Sequence, residues 1–321
     1  MKRARIIYNP TSGRGKILEN LINIIKIYEK AGYETSIFET TPAPFSACKE
    51  AKRAAKTGFD LLIAAGGDGT VNEVVNGIAD LKNRPIVAII PAGTTNDYAR
   101  ALKIPRNDLV RAAQIINKKE TIKMDIGKII SKKAAFRYFM NIGALGTLAE
   151  ISYAVPSTLK TLYGYLAYLT KGVELFTRIK SIPVKINYDH GYFKGEAELI
   201  FLSLTNSVGG FEKVFPKAKL DDGNFNLLIV KKTNLLELFN LVTAAFNDGS
   251  HIKSKFVEYK KTKKAEIIPL TKDKIKVNLD GELGGYAPMK FENLQQHIRF
   301  IASTSEINPT AFSSKKEVRL K

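Results

Sequence analysis

One turn of the chain reads Gly66-Gly67-Asp68-Gly69-Thr70-Val71-Asn72-Glu73. It follows Asp60-Leu61-Leu62-Ile63-Ala64-Ala65, an apolar run typical of a buried parallel strand. From Val71 to Ile78, apolar residues recur at helical spacing. The glycines therefore lie on a strand-to-helix turn, where the backbone can approach a ligand closely. Because the N–H groups at a helix start carry partial positive charge, this turn is a candidate phosphate site.

Asp68 narrows the kind of phosphate ligand that this turn could accept. A carboxylate repels phosphate unless a cation lies between them, which indicates a Mg²⁺-nucleotide. The turn is not a dinucleotide fingerprint, because Asn72 stands where that motif needs glycine. A P-loop is also excluded, since Gly15-Lys16 and Gly127-Lys128 are each followed by Ile. On this motif alone, a plain turn with a capped helix stays open.

Two further turns follow predicted strands. The strand Ala4-Arg5-Ile6-Ile7-Tyr8 ends in Asn9-Pro10-Thr11-Ser12-Gly13, and the strand from Pro85 to Ile90 ends in Pro91-Ala92-Gly93-Thr94-Thr95-Asn96-Asp97. In an open parallel sheet, the carboxyl ends of the strands line one crevice where ligands bind. The three turns are therefore expected to lie together.

The chain is predicted to contain two domains. Residues 1–126 alternate strands with helices, which predicts an α/β domain with a doubly wound parallel sheet. Residues 127–292 contain short alternating strands, interrupted by helices over 157–178 and 235–247, and indicate an antiparallel β-sandwich domain. Residues 293–302 could return to complete the first domain. Residues 303–321 are polar and show no periodicity, so we expect a loose tail.

The charge and composition of the chain limit the classes of binding partner. The formal charge of +19 indicates an anionic partner, although a solvated lysine-rich surface would also account for part of it. No recognition helix, RNA-binding aromatic motif or zinc finger stands out, so we expect no nucleic acid. No uncharged apolar run approaches about 18 residues, so no spanning helix is predicted. An anionic membrane surface is the partner that remains.

Five motifs in order resemble the diacylglycerol kinase catalytic family, and in particular the soluble bacterial enzymes of Gram-positive type. The first three are the turns described above, and the other two lie downstream, at Leu220-Asp221-Asp222-Gly223 and Asn278-Leu279-Asp280-Gly281-Glu282. NAD kinases share the Gly-Gly-Asp-Gly turn, so that motif alone cannot separate the two families. The second strand-end turn and the last motif favour the lipid kinases.

The resemblance implies an ATP site in the first domain. The residues that it places against ATP are Asn9, Pro10, Thr11, Ser12, Gly13, Thr40, Gly66, Gly67, Asp68, Gly69, Thr70, Val71, Asn72 and Thr94. Thr40 is followed by Thr41, which leaves the register at this position open. The resemblance also implies Mg²⁺ with the nucleotide, and Asp68 is counted among the catalytic residues.

Two acidic motifs in the second half carry the other implied roles. Asp280 and Glu282 lie two residues apart at a strand end, so both side chains could point the same way. The resemblance makes Glu282 the base and Asp280 its partner, whereas a plain hairpin turn is the simpler alternative. It also implies a structural Mg²⁺ held by Asp222 with the backbone of Lys219 and Asn224, where ordinary turn chemistry is the alternative.

The implied function is ATP- and Mg²⁺-dependent phosphorylation of diacylglycerol to phosphatidic acid. A kinase for another lipid alcohol and a nucleotide-binding regulatory protein on the same fold are the alternatives. We expect a cytoplasmic protein that is peripheral on the inner face of the membrane, with segment 156–180 as a candidate contact. A homodimer is an assembly that the sequence leaves open.

Overall fold

In the computed structural model, the described residues are 1–130, 137–146, 180–209, 211–313 and 318–319. The chain divides into two compact units. Unit 1 comprises Met1–Ile126, Lys219–Asp222 and Gln295–Lys321, and unit 2 comprises Gly127–Ala218 and Gly223–Leu294. The helix predicted over 157–178 and the candidate membrane segment 156–180 lie outside the described residues, except for Lys180.

Unit 1 is built on a parallel sheet. Its four central strands are β1 (Lys2–Tyr8), β2 (Tyr33–Glu39), β3 (Leu61–Gly66) and β4 (Ile86–Pro91). They pair in the order β2-β1-β3-β4, all parallel. The end of the long strand β15 (Met289–Ile301) adds beside β4, where Phe300 pairs with Val87 in parallel.

Helices follow the strands of unit 1 in chain order. They are α1 (Lys16–Lys30), α2 (Ser46–Lys56), α3 (Asp68–Ile78), α4 (Asp97–Ala101) and α5 (Leu109–Gln114). Helix α1 packs beside α5, and α2 packs beside α3. Every residue of β3 is buried, as expected for a parallel strand covered on both faces. The parallel α/β fold predicted for the first half of the chain is confirmed.

Unit 2 is antiparallel. Its strands are β5 from Gly127 onward (whole strand Glu120–Ile130), β6 (Tyr138–Phe139), β7 (Ile142–Gly146), β8 (Ile182–Tyr188), β9 (Gly191–Ser203), β10 (Phe225–Lys231), β11 (Val257–Thr262), β12 (Lys264–Pro269), β13 (Lys276–Leu279), β14 (Glu282–Tyr286) and the start of β15. Strand order runs β14-β13-β7-β9-β8-β12-β15, and β10 pairs with both β9 and β11.

Two apolar clusters fill unit 2. One lies around Phe139, whose ring stacks on Phe225 at 5.7 Å and meets Phe291 edge-on at 6.1 Å between centroids. The other lies around Phe215 and receives Leu238 and Leu241 from α6 (Leu235–Asn247), the helix that the sequence predicts with the same bounds. The predicted antiparallel β-sandwich domain is confirmed. Within the described ranges, no helix has both the length and the apolarity needed to cross a bilayer.

Residues 303–313, which the sequence predicts as part of a loose tail, pack against the fold. Ser303 and Ile307 are buried, and a short 3₁₀ helix spans Pro309–Ala311. The Glu120 carboxylate accepts hydrogen bonds from the N–H and hydroxyl of Thr304, and a two-residue strand, β16 (Val318–Arg319), pairs with β5. These contacts are long-range and irregular, so the sequence carries no periodic signal for them.

The turn at Lys219–Asp222 also departs from expectation, because it groups with unit 1 instead of the second half of the chain. Its Leu220 carbonyl accepts a hydrogen bond from the N–H of Asp125 at 2.7 Å, and its Leu220 N–H donates to the Ala311 carbonyl at 2.9 Å. The ordered C-terminal segment therefore holds this turn against β5.

Ile307→Ala is expected to lower the free energy of unfolding by about 2 to 4 kcal/mol, because it deletes a buried side chain that anchors the C-terminal segment. Chemical denaturation checks the value. The neighbouring exposed variant Glu306→Ala should stay within about 0.5 kcal/mol of the parent. Equal stability of the two variants would mean that the segment does not contribute to the fold.

Candidate functional site

Three turns meet at the carboxyl edge of the parallel sheet in unit 1. They follow the neighbouring strands β1, β3 and β4. The Asn9 N–H donates to the Ala65 carbonyl at 2.9 Å, and the Ala92 N–H donates to the Gly66 carbonyl at 2.8 Å. Main-chain hydrogen bonds thus join each turn to the next strand, as the sequence predicts for a ligand-binding edge.

Two of these turns touch backbone to backbone at Gly67 and Gly93. A Cβ atom on Gly67 would lie 3.3 Å from the Gly93 Cα, and one on Gly93 would lie 2.5 Å from the Gly67 Cα. Any side chain at Gly93 would therefore push the turns apart. Glycine at both positions brings the start of α3 and the turn after β4 into one shallow, backbone-lined surface.

Asparagine side chains hold the first and third turns in shape. The Asn9 side-chain oxygen accepts from the N–H and the hydroxyl of Thr11 at 3.0 and 2.8 Å. Asn96, in the left-handed region at φ 48°, accepts from the Gly93 N–H at 2.8 Å and donates to the Gly93 carbonyl at 2.7 Å. These bonds fix the turns without any ligand, so the edge is preorganised.

Asp68 opens α3 between the two glycine turns. Its carboxylate accepts from the Thr95 hydroxyl at 3.0 Å and from the Tyr98 N–H at 3.3 Å. Burial, followed by repulsion from the Asp97 carboxylate, raises the pKa of Asp68 to about 6. A carboxylate held in this way is short of positive charge, which a bound cation would supply.

The residues predicted to contact ATP differ in how far they are exposed to solvent. Thr11, Gly69 and Thr94 are exposed, whereas the side chains of Val71 and Asn72 are buried, so those two could meet a ligand only through their backbone. Partly buried positions among them are Asn9, Pro10, Ser12, Gly13, Thr40, Gly67, Asp68 and Thr70, and Gly66 is buried. Thr40 follows β2 directly, and its N–H donates to the Tyr8 carbonyl at 2.9 Å, which brings it to the same sheet edge.

Glu73 has a role that the sequence reasoning missed. Its carboxylate accepts from the N–H groups of Ala47 and Cys48 at 2.9 and 3.3 Å, in the first turn of α2. One residue in the sequence hints at this bond. Phe45 stands at the N-cap of α2, and its side chain cannot accept a hydrogen bond from the first turn of the helix. The last residue of the Gly-rich motif therefore fastens α2 to α3.

In unit 2, Asp280 and Gly281 form the two-residue turn between β13 and β14. Both have positive φ, 52° and 96°, which is the backbone of a tight hairpin. The Asp280 carboxylate accepts three backbone hydrogen bonds, from Met140 at 2.7 Å, Asn141 at 2.9 Å and Ile142 at 2.8 Å. Its own N–H donates to the Ile142 carbonyl at 2.9 Å. The hairpin is therefore tied to the start of β7.

Glu282, the first residue of β14, is exposed and pairs with Leu279 across the hairpin. The two acids thus differ in their surroundings, because Asp280 faces inward onto N–H groups while Glu282 lies at the surface. The roles predicted for them, Glu282 as the base and Asp280 as its partner, remain predictions.

Sequence and structure comparisons place these features in one family. Residues 3–129 match the model of the diacylglycerol kinase catalytic domain, and residues 144–302 match the YegS C-terminal NAD kinase beta sandwich-like domain. The diacylglycerol kinase of Bacillus subtilis (strain 168) is 48% identical over 94% of this chain and 96% of its own length. The chain belongs to the diacylglycerol kinase family.

Other members agree over nearly the whole length. The diacylglycerol kinase of Staphylococcus aureus (strain bovine RF122 / ET3-1) is 48% identical over 98% of this chain and 96% of its own length. The crystal structure of a diacylglycerol kinase from Bacillus anthracis (strain Sterne) superposes with a TM-score of 0.72 at 27% identity, covering 95% of this chain and 98% of that one. The predicted family and fold class are confirmed.

Few side chains of this diacylglycerol kinase family member could serve as ligands to a metal ion. Among the residues that the structure describes, no group of three or more His, Cys, Asp or Glu side chains is arranged to hold a metal. Asp68 with nearby Asp97 offers two carboxylates at the glycine turns. Oxygen donors of this kind, completed by water and nucleotide phosphate, suit Mg²⁺. The residues present therefore fit the nucleotide-bound metal.

Asp221 holds the acidic turn at Lys219–Asp222 against the C-terminal part of unit 1. Asp221 is buried, its carboxylate accepts from the Ser313 N–H at 2.6 Å, and its carbonyl accepts from the Gln295 side chain at 3.1 Å. Asp222 is only partly buried, which leaves it the more accessible carboxylate of the two. Lys219 and Asp222 group with unit 1 and Asn224 with unit 2.

Asp68→Asn is expected to stabilise the protein while it removes the carboxylate that a cation needs. Because the folded pKa is raised above the unfolded value, the ionised group destabilises the fold above about pH 6. The variant should gain up to about 3 kcal/mol near neutral pH, and the gain should disappear as the pH falls to about 4.

Denaturation of parent and variant across this pH range checks the expectation. Thr94→Ala, an exposed change in the neighbouring turn, serves as the control and should show no pH-dependent difference from the parent. A variant that is less stable than the parent at neutral pH would contradict the account of Asp68.

Proposed function

We propose that this chain phosphorylates diacylglycerol to phosphatidic acid, with ATP as the donor and Mg²⁺ as the metal. The observation that carries the proposal is the glycine-lined surface around Gly67, Gly93 and Asp68, which offers backbone N–H groups beside a carboxylate in need of a cation. Membership of the diacylglycerol kinase family supports the lipid as acceptor.

The residues proposed to bind ATP all belong to unit 1. The hydrogen bonds of α3 begin with the Thr70 N–H, which donates to the Gly67 carbonyl at 3.0 Å, so the N–H groups of Asp68 and Gly69 precede the helical ladder and could donate to phosphate oxygens. The turns at Asn9–Gly13 and at Gly93–Thr94, together with Thr40, lie at the same sheet edge and would complete the ATP site. Asp68 would hold Mg²⁺, and when bound the ion neutralises phosphate charge during transfer.

Glu282 is the proposed general base. Its carboxylate takes the proton from the lipid hydroxyl as that oxygen bonds to the γ-phosphorus, while the bond from the γ-phosphorus to the bridging oxygen breaks and ADP leaves. A base must reach its substrate, and the exposed start of β14 permits this. The carboxylate is regenerated when the proton passes to solvent.

Asp280 is proposed as a positioning residue instead of a proton acceptor. Its two oxygens together accept three N–H bonds, so the carboxylate is committed to holding the hairpin. This separates the two acids, whose division of roles the sequence left open. Asp222, with the carbonyls of Lys219 and Asn224, is the proposed holder of a structural Mg²⁺.

The substrate is tested with labelled ATP, Mg²⁺ and mixed micelles that carry diacylglycerol, other lipid alcohols or no lipid alcohol. Labelled phosphatidic acid from the diacylglycerol micelles alone supports the proposal. Transfer to a different alcohol would favour a kinase of other specificity, and nucleotide binding without transfer would favour a regulatory protein.

Glu282→Gln is expected to lower kcat by about 10²- to 10⁴-fold, because the amide keeps the size of the side chain but cannot take the proton. The KM for ATP should change little, since the proposed nucleotide residues belong to unit 1. The matched control is Glu196→Gln, another exposed glutamate of unit 2, which forms an ion pair with exposed Lys232. If both variants keep the parent kcat, Glu282 is not the base.

We also propose that the protein works on the inner face of the membrane, where its positive charge meets anionic lipid. One local feature supports this. Lys185 of β8 and Lys194 of β9 lie directly opposite each other in the antiparallel ladder. Like charges in that position repel, and the Lys185 ammonium lies 5.6 Å from the centroid of the Tyr192 ring. Anionic headgroups would relieve this repulsion.

Lys185→Gln/Lys194→Gln is expected to weaken binding to anionic vesicles by about five- to thirtyfold, at about 1 kcal/mol per basic residue near the surface. Sedimentation with anionic and neutral vesicles at low and high salt measures it. The control, Lys264→Gln/Lys290→Gln, removes the same charge from lysines paired with Glu292 and Glu266. Binding of the parent that is equal on neutral vesicles and insensitive to salt would overturn the electrostatic account.

A further inference from the structure

A buried polar network extends from the hairpin of Asp280 into the sheet of unit 2. The hairpin is held by the N–H groups of Met140, Asn141 and Ile142, so the shape of this short segment sets the position of Asp280. The segment lies just before or at the start of β7, where its backbone is not yet fixed by a full strand ladder. Something else must hold it.

The side chain of Asn141 supplies that support. It is buried, and its amide oxygen accepts a hydrogen bond from the hydroxyl of Thr205. The Asn141 carbonyl accepts from the Leu204 N–H at 2.9 Å. Asn141 is therefore joined by both side chain and backbone to the turn that follows β9.

Thr205 is itself held on the other side. It is fully buried, its hydroxyl also lies 3.0 Å from the Ser207 carbonyl, and its carbonyl accepts from the Ser203 hydroxyl at 2.7 Å. The Ser203 carbonyl in turn accepts from Asn226 at 3.2 Å, and Asn226 accepts from the Tyr259 hydroxyl at 2.7 Å. The network thus reaches strands β10 and β11.

Such a network restricts geometry more than it adds stability. Buried polar groups that satisfy one another lose much if any member is displaced, so they hold a single arrangement. Apolar side chains of the same size would fill this space, yet at Asn141, Ser203, Thr205 and Asn226 the sequence places polar groups. A requirement for one fixed arrangement of the 140–142 backbone accounts for that choice.

We propose that Asn141 and Thr205 are positioning residues for phosphoryl transfer, acting through the 140–142 segment and Asp280 on the placement of Glu282. Neither touches the substrate. The inference rests on the proposed role of Glu282 as the base, and a displacement of roughly 1 Å at a reacting group is enough to slow a reaction strongly.

Thr205→Val tests the proposal, because valine keeps the shape of the side chain and deletes the hydroxyl. It should lower kcat about tenfold and leave the KM for ATP within about twofold of the parent. Thr205→Ser, which restores the hydroxyl, should recover most of the loss.

The matched control is Thr262→Val. Thr262 is another buried threonine of unit 2, and its hydroxyl donates to the Lys264 carbonyl at 2.6 Å and accepts from the Asp189 N–H at 3.1 Å, two residues outside the hairpin. Its melting temperature should fall about as far as that of Thr205→Val, whereas its kcat should match the parent. Equal kcat for the two valine variants would reduce Thr205 to a stability role and overturn the proposal.

A double-mutant cycle with Asp280→Asn shows whether Thr205 acts through Asp280. The double variant Thr205→Val/Asp280→Asn should be no slower than Asp280→Asn alone, because the path is already broken. Losses that multiply would mean independent effects and would overturn the proposal. Glu282→Gln is read separately: if it keeps full activity, the assignment of the base fails, whatever coupling Thr205 and Asp280 show.

Discussion

The contact between the backbones of Gly67 and Gly93 is the constraint on which the nucleotide edge depends. Parallel strands deliver their carboxyl ends to one edge, but side chains normally keep the following turns apart. Here the two turns meet with no side chain between them, so the start of α3 lies directly against the turn after β4. The two hydrogen bonds between Asn96 and the Gly93 backbone hold one side of this contact in place.

Asp68 and Asp280 show how the surroundings of an aspartate determine its role. Asp68 lies where burial and a neighbouring carboxylate disfavour its charge, so a bound cation would stabilise its ionised form. Asp280 lies where three N–H groups favour its charge, and these hydrogen bonds hold the hairpin in place. The contacts of each carboxylate therefore distinguish Asp68, whose charge is disfavoured, from Asp280, whose charge is stabilised by backbone N–H groups.

The sequence predicts the elements well and their long-range partners poorly. The Gly-rich turn, the buried strand before it and the bounds of α6 all follow from local pattern, because periodicity and turn chemistry are properties of neighbouring residues. The capping of α2 by Glu73 and the N–H bonds to Asp280 join residues far apart in the chain, so no local pattern contains them. The ordered segment after Ser303 was missed for the same reason, since Ile307 is a single buried side chain among polar neighbours. Roles that come from the family, such as those of Glu282 and Asp222, rest on motif order and not on geometry that sequence could supply.

Strand β14 carries Glu282 and also ends the strand order of its sheet. An end strand with unpaired backbone groups invites another chain to pair with it, yet a residue serving as the proposed base for a lipid could not be covered by a further strand. The register shift opposite Val277 and Asn278, and the two glycines at 284 and 285, interrupt the regular ladder within five residues. An interrupted and short edge is a poor template for strand addition. The same irregularity beside the proposed base therefore also protects the protein from aggregation through this end strand.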